Sequence, residues 1–343
     1  MSVAIRELDP PREPAWDRYV GEAADSTFFH LSGWRRVIEQ AFRHRTHYLL
    51  AERDGSVTGI LPLVHIRSRF FGDRLLSTPF CVYGGPIASD GASLQGLIDH
   101  SVDLMKRLDA DLIEFRNRRP TAAEWPTRSA LYATFRRPIA DDEATNLKAI
   151  PRKQRAVVRK GIANGLKSQI DQNPDRFHRL YAISMRNLGT PVFSDRYFRL
   201  LIECFRNCCD ILTVEDNGEA ISGVLSFYFR DEVLPYYAGG GRHARQRAAN
   251  DFMYWDLMRH AAARGIRMFD FGRSKFGTGS FDFKKNWGFV PEPLHYQYMV
   301  RPGEAIPDHN PLNPKYRLLI AAWKKLPLAV ANRLGPQIVR GIG

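Results

Sequence analysis

Four cysteines in 343 residues, Cys81, Cys204, Cys208 and Cys209, are too few and too tightly grouped for a disulfide framework. The grouping CFRNCC falls in a predicted helix, where packing is the ordinary role, so no metal site is expected. Such thiol usage fits a reducing cytoplasm. No run reaches the roughly 18 apolar residues that span a bilayer. The opening MSVAIRELDPPREPAW lacks the apolar core of a signal peptide. The expectation is a cytoplasmic chain, soluble or peripheral at the inner face of the membrane. Nucleotide motifs are missing too. In FGTGSFD, Gly277 is followed by Thr278-Gly279 rather than by the Walker lysine, and no third glycine opens a dinucleotide-binding helix. No Ser-His-Asp constellation can be placed.

Acidic residues are also short. There are 37 against 50 Lys and Arg, giving a formal charge of +13. That favours a polyanionic or phosphorylated partner, or an anionic membrane surface. The deficit is local: LKAIPRKQRAVVRKGIANGLK, residues 147–167, holds seven basic residues and no acid. The tail YRLLIAAWKKLPLAVANRLGPQIVRGIG is apolar and basic, a composition suited either to anionic lipid or to packing on the protein's own core.

What is present is a repeat. HYLLAER, Asp54-Gly55 and SVTGILPLVHI have a counterpart in DILTVED, Asn217-Gly218 and EAISGVLSFYF. Both are β-hairpins by their turn dipeptides. A further strand ending in glycines follows each, CVYGGP at 81–86 and PYYAGGG at 235–241. Then comes a helix with one apolar face, carrying Leu94, Leu97, Ile98 and Met105 or Tyr254, Leu257, Met258 and Ala261. Asn250 reads as the N-cap of the second of these helices and Gly265 as its stop. DLIEFR and RMFDFG close the two units. The fold class is α/β (α+β): two tandem domains, each a mixed sheet flanked by helices. The polar stretch RRPIADDEATN sets a boundary, dividing the chain into 1–140, 141–305 and a tail, 306–343.

Candidate chemistry collects after the last repeat strand, in FGRSKFGTGSFDFKKNWGF. Gly277 and Gly279 let backbone N–H groups approach a ligand. Arg273, Lys275 and Lys284 supply charge, and Phe283 and Trp287 argue against full exposure. A phosphate cradle, an acyl-transfer site and a plain surface loop all remain open on these residues. Arg152 and Arg155 share a helix face fit for phosphate. GGGRHARQRAAND, after Tyr237 and before Asn250, adds a basic strand-to-helix turn with His243 as a proton shuttle. Asp270 and its first-half counterpart Glu114 read either as an acid–base group or as a shared structural carboxylate.

The chain resembles the FemAB family, in particular the FemAB-like proteins of PEP-CTERM/exosortase systems. The residues that carry this are STFFHLSGW, GILPLVHIRSRFFG, YGGP, LGTPVFS, LPYYAGGG, FGRSKFGTGSFDFKKNWGF and KKLPLAVANRLGP. The resemblance implies two GNAT-like domains and N-acyl transfer from acyl-CoA or aminoacyl-tRNA to an amine of a cell-envelope or exopolysaccharide precursor. The implied partners are a phosphorylated or lipid-linked precursor and tRNA. It places Phe283 and Lys284 in the active channel, with the lysine facing developing negative charge. The competing reading is a non-catalytic basic module that binds RNA or a lipid-linked phosphate sugar.

Overall fold

The computed structural model describes residues 2–69, 71–306 and 314–343. The chain divides into two compact units. One runs to Leu131 and takes up the segment that begins at Pro293 and the last four residues, Arg340–Gly343. The other is Tyr132–Glu292 with the tail through Val339. The sequence reading divides the chain elsewhere, at 140. Tyr132–Pro138 is a strand of the second sheet, and His295–Val300 is a strand of the first. Part of the second expected boundary, residues 307–313, lies outside the described residues.

The first unit's sheet runs Ala4–Glu7, Arg45–Arg53, Ser56–Ser68, Gly72–Ser77, Leu112–Asn117, His295–Val300, Thr127–Arg128. The second runs Ser274–Lys275, Tyr132–Pro138, Met268–Asp270, Glu232–Gly240, Glu219–Phe229, Cys209–Asp216, Lys167–Asp171. The hairpins turn at Asp54-Gly55 and Asn217-Gly218, all four residues having positive φ, as a type I′ turn requires. Each hairpin carries a register shift near its turn, at Ala51/Glu52 and at Val214/Glu215. The helices Gly91–Leu108 and Ala249–Ala263 cross over to parallel partners. The two-sheet, helix-flanked architecture is the expected one.

Two local expectations are corrected. CVYGGP is not a strand; Gly72–Ser77 takes that place beside Ser56–Ser68. Gly84 and Gly85 donate their N–H groups to the Arg116 carbonyl, each at 3.1 Å, which turns the segment across the strand end. Asn250 is not the N-cap of its helix. Ala248, in the left-handed region, holds that position, and the Asn250 side chain accepts from Ser222 Oγ at 3.0 Å.

Each unit has its own core. Leu49, Leu61, Leu97, Ile113 and Phe115 are fully buried in the first, and Phe135, Val224, Leu257, Phe269 and Trp287 in the second. In the second unit, the helix Asp175–Leu188 lies directly on the strand Glu232–Gly240. A Cβ at Gly239 would stand 2.4 Å from the Tyr181 nitrogen. Ser184 Oγ, at 2.8 Å, donates to the Gly240 carbonyl and accepts from its N–H. Because backbone cannot yield as a side-chain tip does, Gly239→Ala is expected to cost about 2 kcal/mol or more. Gly279→Ala, where a Cβ meets nothing, is expected to leave stability unchanged or slightly raised. Urea unfolding of the two variants checks the contrast.

Candidate functional site

In the second unit, Glu232–Gly240 and Met268–Asp270 pair only at Glu232↔Met268 and Val233↔Phe269. Beyond that the longer strand continues to Gly240 without this neighbour, and the shorter one ends. The space past a parallel strand's C-terminal end is where α/β sheets admit ligands. The stretch read as a glycine-rich loop fills out this end. After a short strand at Ser274–Lys275, the chain turns at Gly277 (φ 74°) and forms the helix Gly279–Asn286.

Lys284 projects from that helix back to the strand end. Its Nζ donates to the carbonyls of Gly272 at 2.9 Å and Arg273 at 3.1 Å. The same nitrogen lies 5.4 Å from the Phe135 ring centroid. The apolar packing lowers its pKa to about 7; Asp270 opposes that shift and Arg273 adds to it. The lysine is therefore poised near neutrality and oriented by two backbone acceptors. An ammonium has three donors, so one is left for a third acceptor.

Asp270 is 1% exposed. It accepts from the Gly272 N–H at 2.7 Å and Thr134 Oγ1 at 3.2 Å, and pairs with Arg136 at 3.6 Å. Arg136 also pairs with Glu232. So engaged, Asp270 acts as a fixed charge that orders the turn beneath Lys284. Glu114 in the first unit is likewise committed, to Arg116 Nε at 2.7 Å.

The other predicted residues separate into groups. Arg273 stacks on Tyr132 at 4.4 Å, beside the Lys284 site. Phe283 packs against Tyr254, Phe271 and Trp287. Trp287 is fully buried and donates to Asp251 at 3.0 Å, so it is core and offers no surface to a ligand. Burial pushes the Asp251 carboxyl up. Gly279 heads the helix, and Lys275 carries the carbonyl that accepts from Thr278 Oγ1 at 2.7 Å. Tyr237 is buried among aromatic rings, with its hydroxyl 2.9 Å from that of Tyr197. His243 sits on the short helix Arg242–Gln246 and pairs with Asp216 at 3.0 Å, an acid shared with Arg247. It makes no contact with the Lys284 group. Arg152 and Arg155 lie in the first turn of the helix Arg152–Ala163 and form no ion pair among the described residues. Arg242 and Arg245, exposed beyond Gly241, are also unpaired among the described residues. Among the described residues no group of His, Cys, Asp or Glu could hold a metal ion.

Sequence reasoning missed the strand Tyr132–Pro138, which supplies Tyr132, Thr134, Phe135 and Arg136 to the site. The alternation in YATFRRP is its signal, obscured by the polar stretch that follows.

Residues 152–285 match the sequence model of the Acetyltransferase (GNAT) domain. FemX superimposes with a TM-score of 0.68 at 14% identity, over 92% of this chain and 100% of that one. The protein has a FemAB-like tandem GNAT fold. A tandem GNAT protein from the clavulanic acid biosynthesis pathway is also similar, with a TM-score of 0.56 at 14% identity, over 88% of this chain and 100% of that one. No curated protein matches the chain by sequence. The matched segment contains Lys284, its carbonyl partners and the Gly241 turn.

A lysine whose pKa is depressed when folded binds fewer protons than its unfolded form between about pH 7 and its ordinary value near 10.4. Stability is therefore expected to rise with pH across that window. Lys284→Met, which keeps an unbranched chain one atom shorter and removes the charge, is expected to flatten the rise. Urea unfolding at pH 7 and pH 9 measures both slopes.

Proposed function

We propose that this protein is an N-acyltransferase that moves an acyl group from a thioester donor of the acyl-CoA class to an amine of a cell-envelope or exopolysaccharide precursor. The observation that carries the reading is Lys284, a positioned amine beyond the last parallel-paired residues of the second sheet, inside the segment that matches a GNAT domain. In the proposed reaction the acceptor amine attacks the donor carbonyl. The C–N bond forms, negative charge builds on the carbonyl oxygen, and the C–S bond then breaks to release the thiol. The free N–H of Lys284 would stabilise that oxyanion. A single fixed donor of this kind is worth roughly 100- to 1,000-fold in rate. The acceptor must shed one proton, which leaves to solvent or to the departing thiolate.

The unpaired Arg242 and Arg245 beyond Gly241 suit the phosphates of the donor. Arg152 and Arg155 suit a phosphorylated acceptor. A charged tRNA is the rival donor, and RNA binding without catalysis is the rival function. Both would draw on the same unpaired arginines.

Thiol release from acetyl-CoA in the presence of amine-bearing, phosphorylated sugar precursors tests the proposal. Transfer is expected with the wild type, and Lys284→Met is expected to lower kcat by about 100-fold or more with KM little changed. Arg242→Ala with Arg245→Ala is expected to raise the donor KM by about tenfold and leave kcat near wild type. Transfer from aminoacyl-tRNA alone would reassign the donor. Full activity of Lys284→Met would remove Lys284 from the mechanism.

A further inference from the structure

The C-terminal tail forms two helices, Pro314–Lys324 and Leu328–Ile342. Through Val339 they belong to the second unit. A Cβ at Gly189 would meet Ile320 Cγ2 at 2.5 Å, and one at Gly335 would meet the Val192 nitrogen at 2.7 Å. Arg186 donates to the Leu326 carbonyl at 3.3 Å. Ala331, Gly335 and Val339, four apart, are the buried face of the second helix. The sequence left packing on the core and binding to lipid as alternatives. Packing uses one face only.

The other face is apolar and open. Leu318 is 84% exposed and Leu319 67%, and Val330, Leu334 and Ile338 recur at four-residue spacing on the outside of the second helix. Ten large hydrophobic side chains are exposed among the described residues, and five of them fall between 318 and 338, all in the second unit. That clustering, rather than any single leucine, needs an occupant. The charge identifies it. Residues 314–343 carry six basic residues and no acid, and Lys324, Lys325 and Arg333 are exposed beside the apolar side chains. A second copy would bring the same positive charge against itself. An anionic bilayer complements it, accepting apolar side chains below the headgroups and cations among them.

We propose that the outer face of these two helices docks on an anionic membrane surface. No described helix is long and apolar enough to cross a membrane, so the attachment lies in the interfacial plane. It would hold the acyltransfer site beside a lipid-linked acceptor, but it does not depend on that activity.

Co-sedimentation of the full chain with phosphatidylglycerol/phosphatidylcholine vesicles, and with phosphatidylcholine alone, tests this. Binding to the anionic vesicles is expected, at least about tenfold weaker on the neutral ones and in high salt. Leu318→Glu with Leu319→Glu is expected to weaken it about tenfold or more. Lys324→Glu with Lys325→Glu should act in the same direction, since both residues are exposed beside the apolar side chains. Unchanged circular dichroism would show that the variants fold. No binding to anionic vesicles, or binding indifferent to Leu318→Glu/Leu319→Glu, overturns the proposal. A dimer in light scattering that the same variants dissolve also overturns it, in favour of a second copy.

Discussion

A backbone carbonyl beyond the last parallel-paired residues of a strand pair must find a donor, and the two halves of this chain answer that need differently. In the first unit the acceptor is the Arg116 carbonyl, and the donors are the main-chain N–H groups of Gly84 and Gly85. In the second the acceptors are Gly272 and Arg273, and the donor is the ammonium of Lys284. A main-chain donor closes the strand end with peptide. A side-chain donor reaches in from a separate helix and brings a charge with it. The asymmetry of function follows from that exchange.

The first unit is sealed further. Arg116 donates to the Cys81 carbonyl, and Asn117 and Gln297, both almost fully buried, hydrogen-bond each other and Thr121. Gly85 lies so close to Asn117 that a Cβ would overlap its side-chain oxygen. Little of this is free to bind. The second unit keeps a half-buried turn at Gly241, arginines on each side of it in sequence that are unpaired among the described residues, and a lysine placed where burial lowers its pKa. Perturbed groups of this kind collect at working sites.

The repeat was legible because its signals are local. The Asp54-Gly55 and Asn217-Gly218 turns need positive φ, and the alternation on either side fixes the strands. FKKNWGF was legible as the special segment because no counterpart exists in the first half. What Lys284 touches was not legible. Its partners are carbonyls, which no sequence motif records, and the strand beneath it begins only after residue 131. Aromatics serve both cores and sites, so sequence alone does not separate the two for Trp287 and Tyr237; burial against Asp251 and Tyr197 places them in the core. CVYGGP misled for a related reason. Its glycines mimic those of the second half, but they close a strand end there instead of following a strand.

Burial beside Phe135 lowers the Lys284 pKa to about 7, against the opposing charge of Asp270. The most direct measurement is the titration of that amine, by NMR of lysine labelled with ¹³C at the ε-carbon and assigned with Lys284→Met. A resonance that titrates near pH 7 and moves when acetyl-CoA binds is the predicted result. A Lys284 that titrates near 10.4, as exposed lysines do, and is indifferent to acetyl-CoA would contradict it.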